Sequence, residues 1–145
     1  MAQRLYRIAY AILGNDPDCQ DAVSAALLHA WMHLPTLRDE ALFETWLTRI
    51  LINTSRSMLK KRTATMTSEL SPSIPAPKPP DPALGDALSS LALKYRLIIT
   101  MHHIEGYSVQ EIASMLSLPK TTVKWRLQAG RKMLRTKLTE GDDAE

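Results

Sequence analysis

Seven basic and no acidic side chains lie between residues 120 and 137, at spacings that bring several of them to one face of a helix. They are Lys120, Lys124, Arg126, Arg131, Lys132, Arg135 and Lys137. Lysine and arginine side chains neutralise backbone phosphates and can also donate to guanine edges in the major groove. A charge run alone is more often a solvated helix face than a nucleic-acid site, so its meaning depends on the element that carries it.

The residues before this cluster predict a second, shorter helix joined to the basic one by a tight turn. Ser108 and Glu111 have the spacing of a capping box, and Ser117-Leu118-Pro119 ends the helix that they open. Thr121 or Thr122 can cap the basic helix. Its inward face is expected at Val123, Leu127, Gly130, Leu134 and Leu138. The pair has the dimensions of a DNA-binding helix-turn-helix over residues 108–135; the alternative is an amphipathic helix with a solvated basic face.

Other constellations are weaker and favour neither catalysis nor a metal. His29 and His33 have the spacing of two ligands on one helix face, but no acidic or cysteine partner stands at a matching offset. Cys19 is the only cysteine and is interpreted as an ordinary thiol near a helix start. His102-His103 are expected to end a helix. Since no phosphate-binding glycine loop, nucleophile elbow or paired carboxylates appear, the sequence predicts a non-enzyme without a cofactor.

The prolines divide the chain into two helical modules. Six of the nine lie between Pro72 and Pro82, so residues 63–83 are predicted to be a flexible linker without helix or central strand, spanning at most roughly 70 Å. The modules are residues 1–62 and 84–138, followed by an acidic tail, 139–145. Residues 84–138 carry nine basic and three acidic side chains, which favours a polyanionic partner. No apolar stretch is long enough for a membrane span, so a cytoplasmic chain without membrane insertion is expected.

Apolar spacing predicts an all-α fold. The first module should contain three helices: one ending at Gly14-Asn15, one capped at Asp16-Pro17 and running to Pro35, and one ending at Lys60-Lys61-Arg62, where basic residues can simply interact with the helix dipole. The expected inward face of the second helix is Val23, Ala26, Leu27, Ala30, Trp31 and Leu34. A single helix with the stripe Leu84, Leu88, Leu91, Tyr95, Ile98 and Met101 should end near Gly106.

Two segments in the right order carry a family resemblance. SVQEIASMLSLPKTTVKWRLQAGRKML, residues 108–134, resembles region 4 of the extracytoplasmic-function branch of the sigma-70 family. LYRIAYAILGNDPDCQDAVSAALLHAW and FETWLTRILINTSRSMLKKR are similar to region 2 of the same family. The resemblance implies a factor whose region 2 binds core RNA polymerase and the melted minus-10 element, and whose region 4 binds the double-stranded minus-35 element. A possible anti-sigma factor is a further implied partner.

The resemblance also assigns residues by position. Binding of core polymerase would fall to Asp21, Leu28 and Trp31. The minus-10 element would meet Leu37, Arg38, Arg49, Asn53, Arg56 and Lys60, with the loop 37–42 and the Asn53 amide holding a flipped base. The minus-35 element would meet Lys120, Thr121, Thr122, Lys124, Trp125, Arg126, Gln128 and Arg131. Phe43 and Trp46 either stack on single-stranded bases or lie in the hydrophobic core.

The chain departs from the family pattern at a few positions. Ser24-Ala25 stand where the family usually has a glutamine and an acidic residue. This difference leaves open a second hypothesis, a degenerate sigma-like interaction protein that regulates another sigma factor or an anti-sigma partner. Trp125 replaces a small residue; its indole could pack on a thymine methyl or deoxyribose, or turn inward to the core.

Overall fold

The computed structural model describes residues 2–65 and 82–143, and within those ranges the regular structure is helical, which confirms the all-α prediction. The α-helices are α1 (Ala2–Leu13), α2 (Asp16–His33), α3 (Phe43–Thr65), α4 (Pro82–Ser89), α5 (Leu93–Ile99), α6 (Val109–Leu116) and α7 (Lys120–Asp143). The chain divides into two compact units: a first unit built from α1–α3 and a second unit built from α4–α7. In the described part of the chain, no helix combines the length and the apolar character that crossing a membrane requires.

The expected absence of helix over residues 63–83 is wrong at both ends of that segment. Helix α3 continues to Thr65, and α4 begins at Pro82. Proline fits there because the first N–H groups of a helix have no partner within the helix. The rest of the predicted linker lies outside the described residues. At the other end of the chain, α7 continues to Asp143, into the segment expected to be a tail.

The break between α1 and α2 is where the sequence predicts it, but a different residue caps α2. Gly14 has a φ of 75°, the left-handed conformation that glycine adopts most easily. Asn15, and not Asp16, is the cap: it is extended, and its side-chain oxygen accepts from the Asp18 N–H at 2.9 Å. The Asp16 carboxylate instead accepts from the Tyr6 hydroxyl and from the Gln20 amide.

Helix α2 buries small residues, which confirms Ala26 and Ala30 as inward positions but corrects the rest of the predicted inward face. The buried positions are Cys19, Ala22, Ala26 and Ala30, spaced three or four residues apart. Leu27, Trp31 and Leu34, expected inside, are exposed, and Val23 is half-buried. Small side chains let helix backbones approach closely, and α2 packs against both α1 and α3.

The first unit closes around aliphatic side chains and a polar clamp. Its largest fully buried members are Leu5, Ile8, Ile12, Leu13, Leu47, Leu51 and Ile52. At the end of α3, Arg62 donates to the Leu13 carbonyl at 3.0 Å and to the Asp18 carboxylate at 2.9 Å. Arg62 therefore ties the C-terminus of α3 to the α1–α2 junction, a contact beyond the interaction with its own helix dipole that the sequence suggested.

The predicted single helix before Gly106 is interrupted. Helix α4 ends at Ser89, and α5 begins at Leu93. The hydroxyls of Ser89 and Ser90 donate to backbone carbonyls three residues earlier, and Arg96 donates to the Leu91 carbonyl at 3.1 Å. These bonds satisfy carbonyls that a continuous helix would use internally. Of the predicted stripe, Leu88, Leu91, Tyr95, Ile98 and Met101 are nevertheless buried, while the Leu84 side chain lies outside those described.

After α5 the chain makes a π-helical turn, Thr100–Ile104, in which the Glu105 N–H donates to the Thr100 carbonyl at 3.0 Å. Gly106 then ends the turn with a φ of 79°. This confirms the predicted stop and places His102 and His103 at the end of a helical segment.

Candidate functional site

Helices α6 and α7 form the predicted helix-turn-helix. The capping box is present: the Glu111 N–H donates to the Ser108 hydroxyl at 3.1 Å, and the Ser108 N–H donates to the Glu111 carboxylate at 3.0 Å. Ser117 ends α6 in the left-handed conformation, with a φ of 56°. Helix α7 begins at Lys120, so Thr121 and Thr122 lie inside its first turn and neither is the cap, contrary to prediction.

Close packing against α5 fixes the inward face of α7. Val123 and Leu127 are buried, as predicted, and Gly130 faces Ile99. A Cβ atom at position 130 would lie 3.1 Å from Ile99 Cγ1 and 3.2 Å from Ile99 Cδ1, so the glycine permits this close approach. Leu134 and Leu138 are half-buried. This packing leaves the opposite side of α7 in solvent.

The exposed side of α7 collects most of the residues predicted to contact double-stranded DNA. We call it the recognition face; its exposed predicted members are Lys120, Thr121, Lys124, Trp125 and Gln128. Thr122, Arg126 and Arg131 are half-buried along the edges of α7. Lys132 and Arg135 extend the exposed basic character toward the C-terminal end. The recognition face therefore offers cationic groups and one amide to a polyanionic surface.

Trp125 is not in the hydrophobic core. Its side chain is 59% exposed, and its ring lies 6.4 Å from that of Tyr95, tilted by 49°. Tyr95 itself is buried. The sequence allowed the indole either to contact DNA or to turn into the core, and this exposure excludes the core. The indole presents an apolar surface on the recognition face.

Arg131 is hydrogen-bonded within the second unit. Its Nε–H donates to Nε2 of His103 at 2.8 Å. Partial desolvation of this exposed residue, and next the charges of Arg131 and His102, hold the pKa of the His103 imidazole below its usual value. Because an arginine N–H can only donate, Nε2 of His103 accepts this bond and carries no proton.

The residues predicted for the minus-10 element form a row on α3. Arg49, Asn53, Arg56 and Lys60 are exposed and follow one another at intervals of four, three and four residues. The opposite side of α3 is buried and includes Thr48, Leu51 and Ser55. The structure therefore brings the four side chains to a common outward side of the helix.

The loop before α3 consists mainly of two short 3-10 turns, Leu34–Thr36 and Glu40–Leu42. Leu37 is half-buried between them, and Arg38 is exposed. Phe43 and Trp46 are both half-buried, with ring centroids 6.0 Å apart, so neither is part of the closed core.

An apolar patch covers the outward side of α2. Leu28 is 60% exposed and Trp31 is 75% exposed, in keeping with their predicted role in binding another protein. Leu27 and Met32 belong to the same patch, at 45% and 65% exposure. Neither residue was predicted as a contact: helical spacing placed Leu27 in the interior, and Met32 belonged to no predicted face. Asp21, also exposed, lies near the N-terminal end of the helix.

The histidine pair of α2 and the single cysteine are the remaining candidates for metal or thiol chemistry. Among the described residues no group of three or more potential metal ligands is found, and the His29 and His33 rings lie with their centroids 4.4 Å apart, tilted by 33°. Cys19 is fully buried, and burial is the main reason that the pKa of its thiol rises to about 12.

Comparison with known proteins gives the same division into two units. Residues 1–65 match the family model of sigma-70 region 2, and residues 82–134 match that of sigma-70 region 4. The chain is 30% identical to the RNA polymerase sigma-E factor of Streptomyces coelicolor over 95% of its own length and 81% of that protein. It is 27% identical to the ECF RNA polymerase sigma factor SigW of Bacillus subtilis, covering 94% of this chain and 84% of SigW.

A similar fold is found in the sigma factor RpoE of Bartonella quintana, solved in complex with the anti-sigma factor NepR. The TM-score is 0.84 and the sequence identity 20%, over 95% of this chain and 91% of that one. At that identity the likeness concerns the fold alone. The two region matches and the sigma-E relative together establish the family: the chain belongs to the sigma-70 family of RNA polymerase sigma factors, in its extracytoplasmic-function branch.

Proposed function

We propose that the chain is a promoter-specificity subunit that binds core RNA polymerase and directs initiation by contacting the minus-10 and minus-35 elements. The observation that carries this proposal is the match of region 2 and region 4 to two separate helical units. Each unit exposes a surface suited to its share of the work, apolar on α2 and cationic on α7.

The apolar patch on α2 is the proposed contact with core polymerase. An exposed tryptophan beside exposed leucine and methionine is the kind of surface that association covers, and aromatic side chains often dominate the binding energy of interfaces. Leu28 and Trp31 would lie inside the contact, with Asp21 at its edge. Leu27 and Met32 join them as members that the sequence did not indicate.

The exposed row on α3 is the proposed contact with melted minus-10 DNA. Arg49, Arg56 and Lys60 supply charges for the phosphates of a single strand, and the Asn53 amide offers both a donor and an acceptor to a base edge. Leu37 and Arg38 would border the flipped base, while the half-buried Trp46 offers part of its ring for stacking.

The recognition face of α7 is the proposed contact with double-stranded minus-35 DNA. Lys120, Lys124 and the half-buried Arg126 and Arg131 would neutralise phosphates, whereas Gln128, Thr121 and Trp125 would face base edges and the thymine methyl. Thr122, in the first turn of α7, lies among N–H groups that point toward an approaching phosphate.

We propose no catalytic activity and no cofactor for the chain itself, and we place its action in the cytoplasm, where bacterial transcription occurs. A protein inhibitor is a further proposed partner. This proposal is supported by the similar Bartonella factor, which was solved with its anti-sigma factor bound.

Purification with core polymerase, followed by run-off transcription from enriched promoter fragments, tests the proposed function. The wild-type chain should associate and give discrete transcripts. Trp31→Ala combined with Leu28→Ala should abolish association, whereas Gln20→Ala, an exposed polar change on the same helix, should not. Failure of the wild-type chain to associate at low salt contradicts the proposal. Association without promoter-dependent transcripts favours the degenerate, regulatory alternative.

A further inference from the structure

A hydrogen bond joins the π-helical turn to α7 in the second unit. Arg131 Nε and His103 Nε2 are 2.8 Å apart, although the residues are 28 positions apart in sequence. An arginine N–H is always a donor, so the His103 nitrogen must be the acceptor and carry no proton. The interaction is thus a directional bond to a neutral imidazole.

The surroundings of His103 favour this neutral form. The pKa of His103 is lowered first by partial desolvation against the pocket wall, then by the positive charge of Arg131 and by His102. From α7, Arg131 and Arg135 line the same pocket as His103, while Leu88 of α4 and Ile99 of α5 contribute apolar walls. His102 is held separately, because its Nδ1 donates to the Tyr107 carbonyl at 2.8 Å. The groups that face His103 therefore disfavour a charge on it.

The fold brings the two residues together by two local features. The π turn inserts an extra residue in the helical repeat after α5, and such turns are frequent at functional sites. Gly130 lets α7 approach Ile99 closely, one residue before Arg131. Together they place the imidazole within hydrogen-bond distance of a guanidinium on α7.

Within the described part of the chain, this bond uses only the Nε–H of Arg131. Its two terminal amino groups, with four N–H donors, can therefore bind another ligand. A guanidinium that is already held by one hydrogen bond loses less conformational entropy when it binds a phosphate. We propose that His103 is a positioning residue that orients Arg131 for contact with a DNA backbone phosphate. This role rests on the proposed binding of duplex DNA by α7.

A double-mutant cycle in the full-length chain tests the proposal, with a mixed-sequence DNA duplex of about 30 base pairs as the probe. His103→Leu removes the acceptor, and His103→Gln keeps one, because the glutamine carbonyl can accept from Arg131 Nε–H. We expect His103→Leu to weaken binding about threefold or more and to reduce the dependence of affinity on salt, as Arg131→Ala does. His103→Gln should retain near wild-type binding.

The cycle separates positioning from a general structural effect. In the Arg131→Ala background, His103→Leu should have no further effect on affinity. Paired with Lys124→Ala, whose side chain is on the exposed side of α7, His103→Leu should act additively. Additive effects of His103→Leu and Arg131→Ala, or equal loss in His103→Leu and His103→Gln, would overturn the proposal. Absence of duplex binding by the wild-type chain would overturn this proposal together with the proposed role of α7.

Discussion

Cys19 illustrates how burial removes chemistry from a reactive residue type. It lies in the first turn of α2 without exposed surface, and its thiol pKa of about 12 keeps the sulfur protonated at neutral pH. Because the thiolate is the reactive form, we expect the native chain not to react with a disulfide reagent at about pH 8. In concentrated urea one thiol per chain should react at the rate of a free cysteine. Rapid reaction of the native chain would contradict the buried position.

Arg62 is the residue on which we expect the junction of the first unit to depend. Arg62 donates to the Leu13 carbonyl and to the Asp18 carboxylate. The Arg62 side chain is 25% exposed and that of Asp18 is 32% exposed. Arg62→Ala should lower the free energy of unfolding of this unit by about 1 to 2 kcal/mol, because it leaves a carboxylate and a carbonyl without a charged partner. Urea unfolding measures the change. Lys60→Ala, at an exposed position of the same helix, should have little effect.

His103 gives the second unit a specific pH dependence. Its pKa is lowered in the folded chain, so the unfolded chain binds a proton more readily. The contribution of neutral His103 to the free energy of unfolding is complete above its unfolded pKa of about 6.5. It is lost as the pH falls from there through the lowered pKa of the folded chain.

We expect this loss in wild type and its absence in His103→Gln. Urea unfolding followed through Trp125 fluorescence, with Trp31 and Trp46 changed to phenylalanine, measures it on both sides of that pH range. The same pH dependence in both variants would show that another group titrates.

At the scale of single residues, the sequence predicted which side chains would be polar and outward but not their partners. The exposed lysines of α7 follow from helical spacing. The His103–Arg131 bond does not, because it depends on a π turn that no simple periodicity indicates. The sequence could not predict whether Trp125 is buried, because an indole, with an apolar ring and a polar N–H, occurs both in cores and on solvent-exposed surfaces.

At the scale of the helix, α2 shows how a buried face can differ in part from the one that apolar spacing predicts. Helical spacing correctly placed Ala26 and Ala30 inside, but it also placed the larger Leu27, Trp31 and Leu34 there. The contacts of α2 with α1 and α3 instead bury Cys19 and Ala22. The sequence predicted the existence and approximate ends of the helix. Its orientation depended on how closely the neighbouring helices approach, which is a tertiary property.

The orientation of α2 predicts opposite outcomes for two substitutions. Ala26→Leu should destabilise the first unit by about 1 to 3 kcal/mol, because a fully buried position in a tight helix contact has no room for a larger side chain. Leu28→Ala, at a 60% exposed position, should leave the unfolding free energy nearly unchanged. Urea unfolding of both variants tests this, and the reverse order of effects would contradict the described face.

The interruption between α4 and α5 shows another limit of periodicity. Leu88, Tyr95 and Met101 of the predicted stripe are buried, so the apolar spacing correctly identified the core positions. It could not indicate that serine hydroxyls and Arg96 would satisfy the carbonyls at the break. Helix ends depend on such local hydrogen bonds, whereas helix faces depend on burial.

At the scale of the whole molecule, the proline cluster was the informative signal, since it separated two segments that the structure also divides into two units. The proposed polymerase contact and the proposed minus-35 contact fall on different units. We therefore expect Lys124→Ala to weaken duplex DNA binding and reduce its salt dependence while leaving association with core polymerase unchanged.

Trp31→Ala should have the converse effect, weakening association with polymerase and sparing binding of free duplex DNA. Titration of each variant with labelled duplex and, separately, with core polymerase measures both. Loss of both activities in either variant would argue against the assignment of one contact to each unit.

The small-residue interior of α2 also bears on how such a chain could diverge. Since Cys19, Ala22, Ala26 and Ala30 hold the helix in place, the large outward side chains at Leu27, Leu28, Trp31 and Met32 are nearly irrelevant to folding. Substitutions there change what the helix binds at little cost in stability. The residues on the outward side of α2 can therefore be substituted one after another. The binding partner can change in this way while every intermediate sequence still folds.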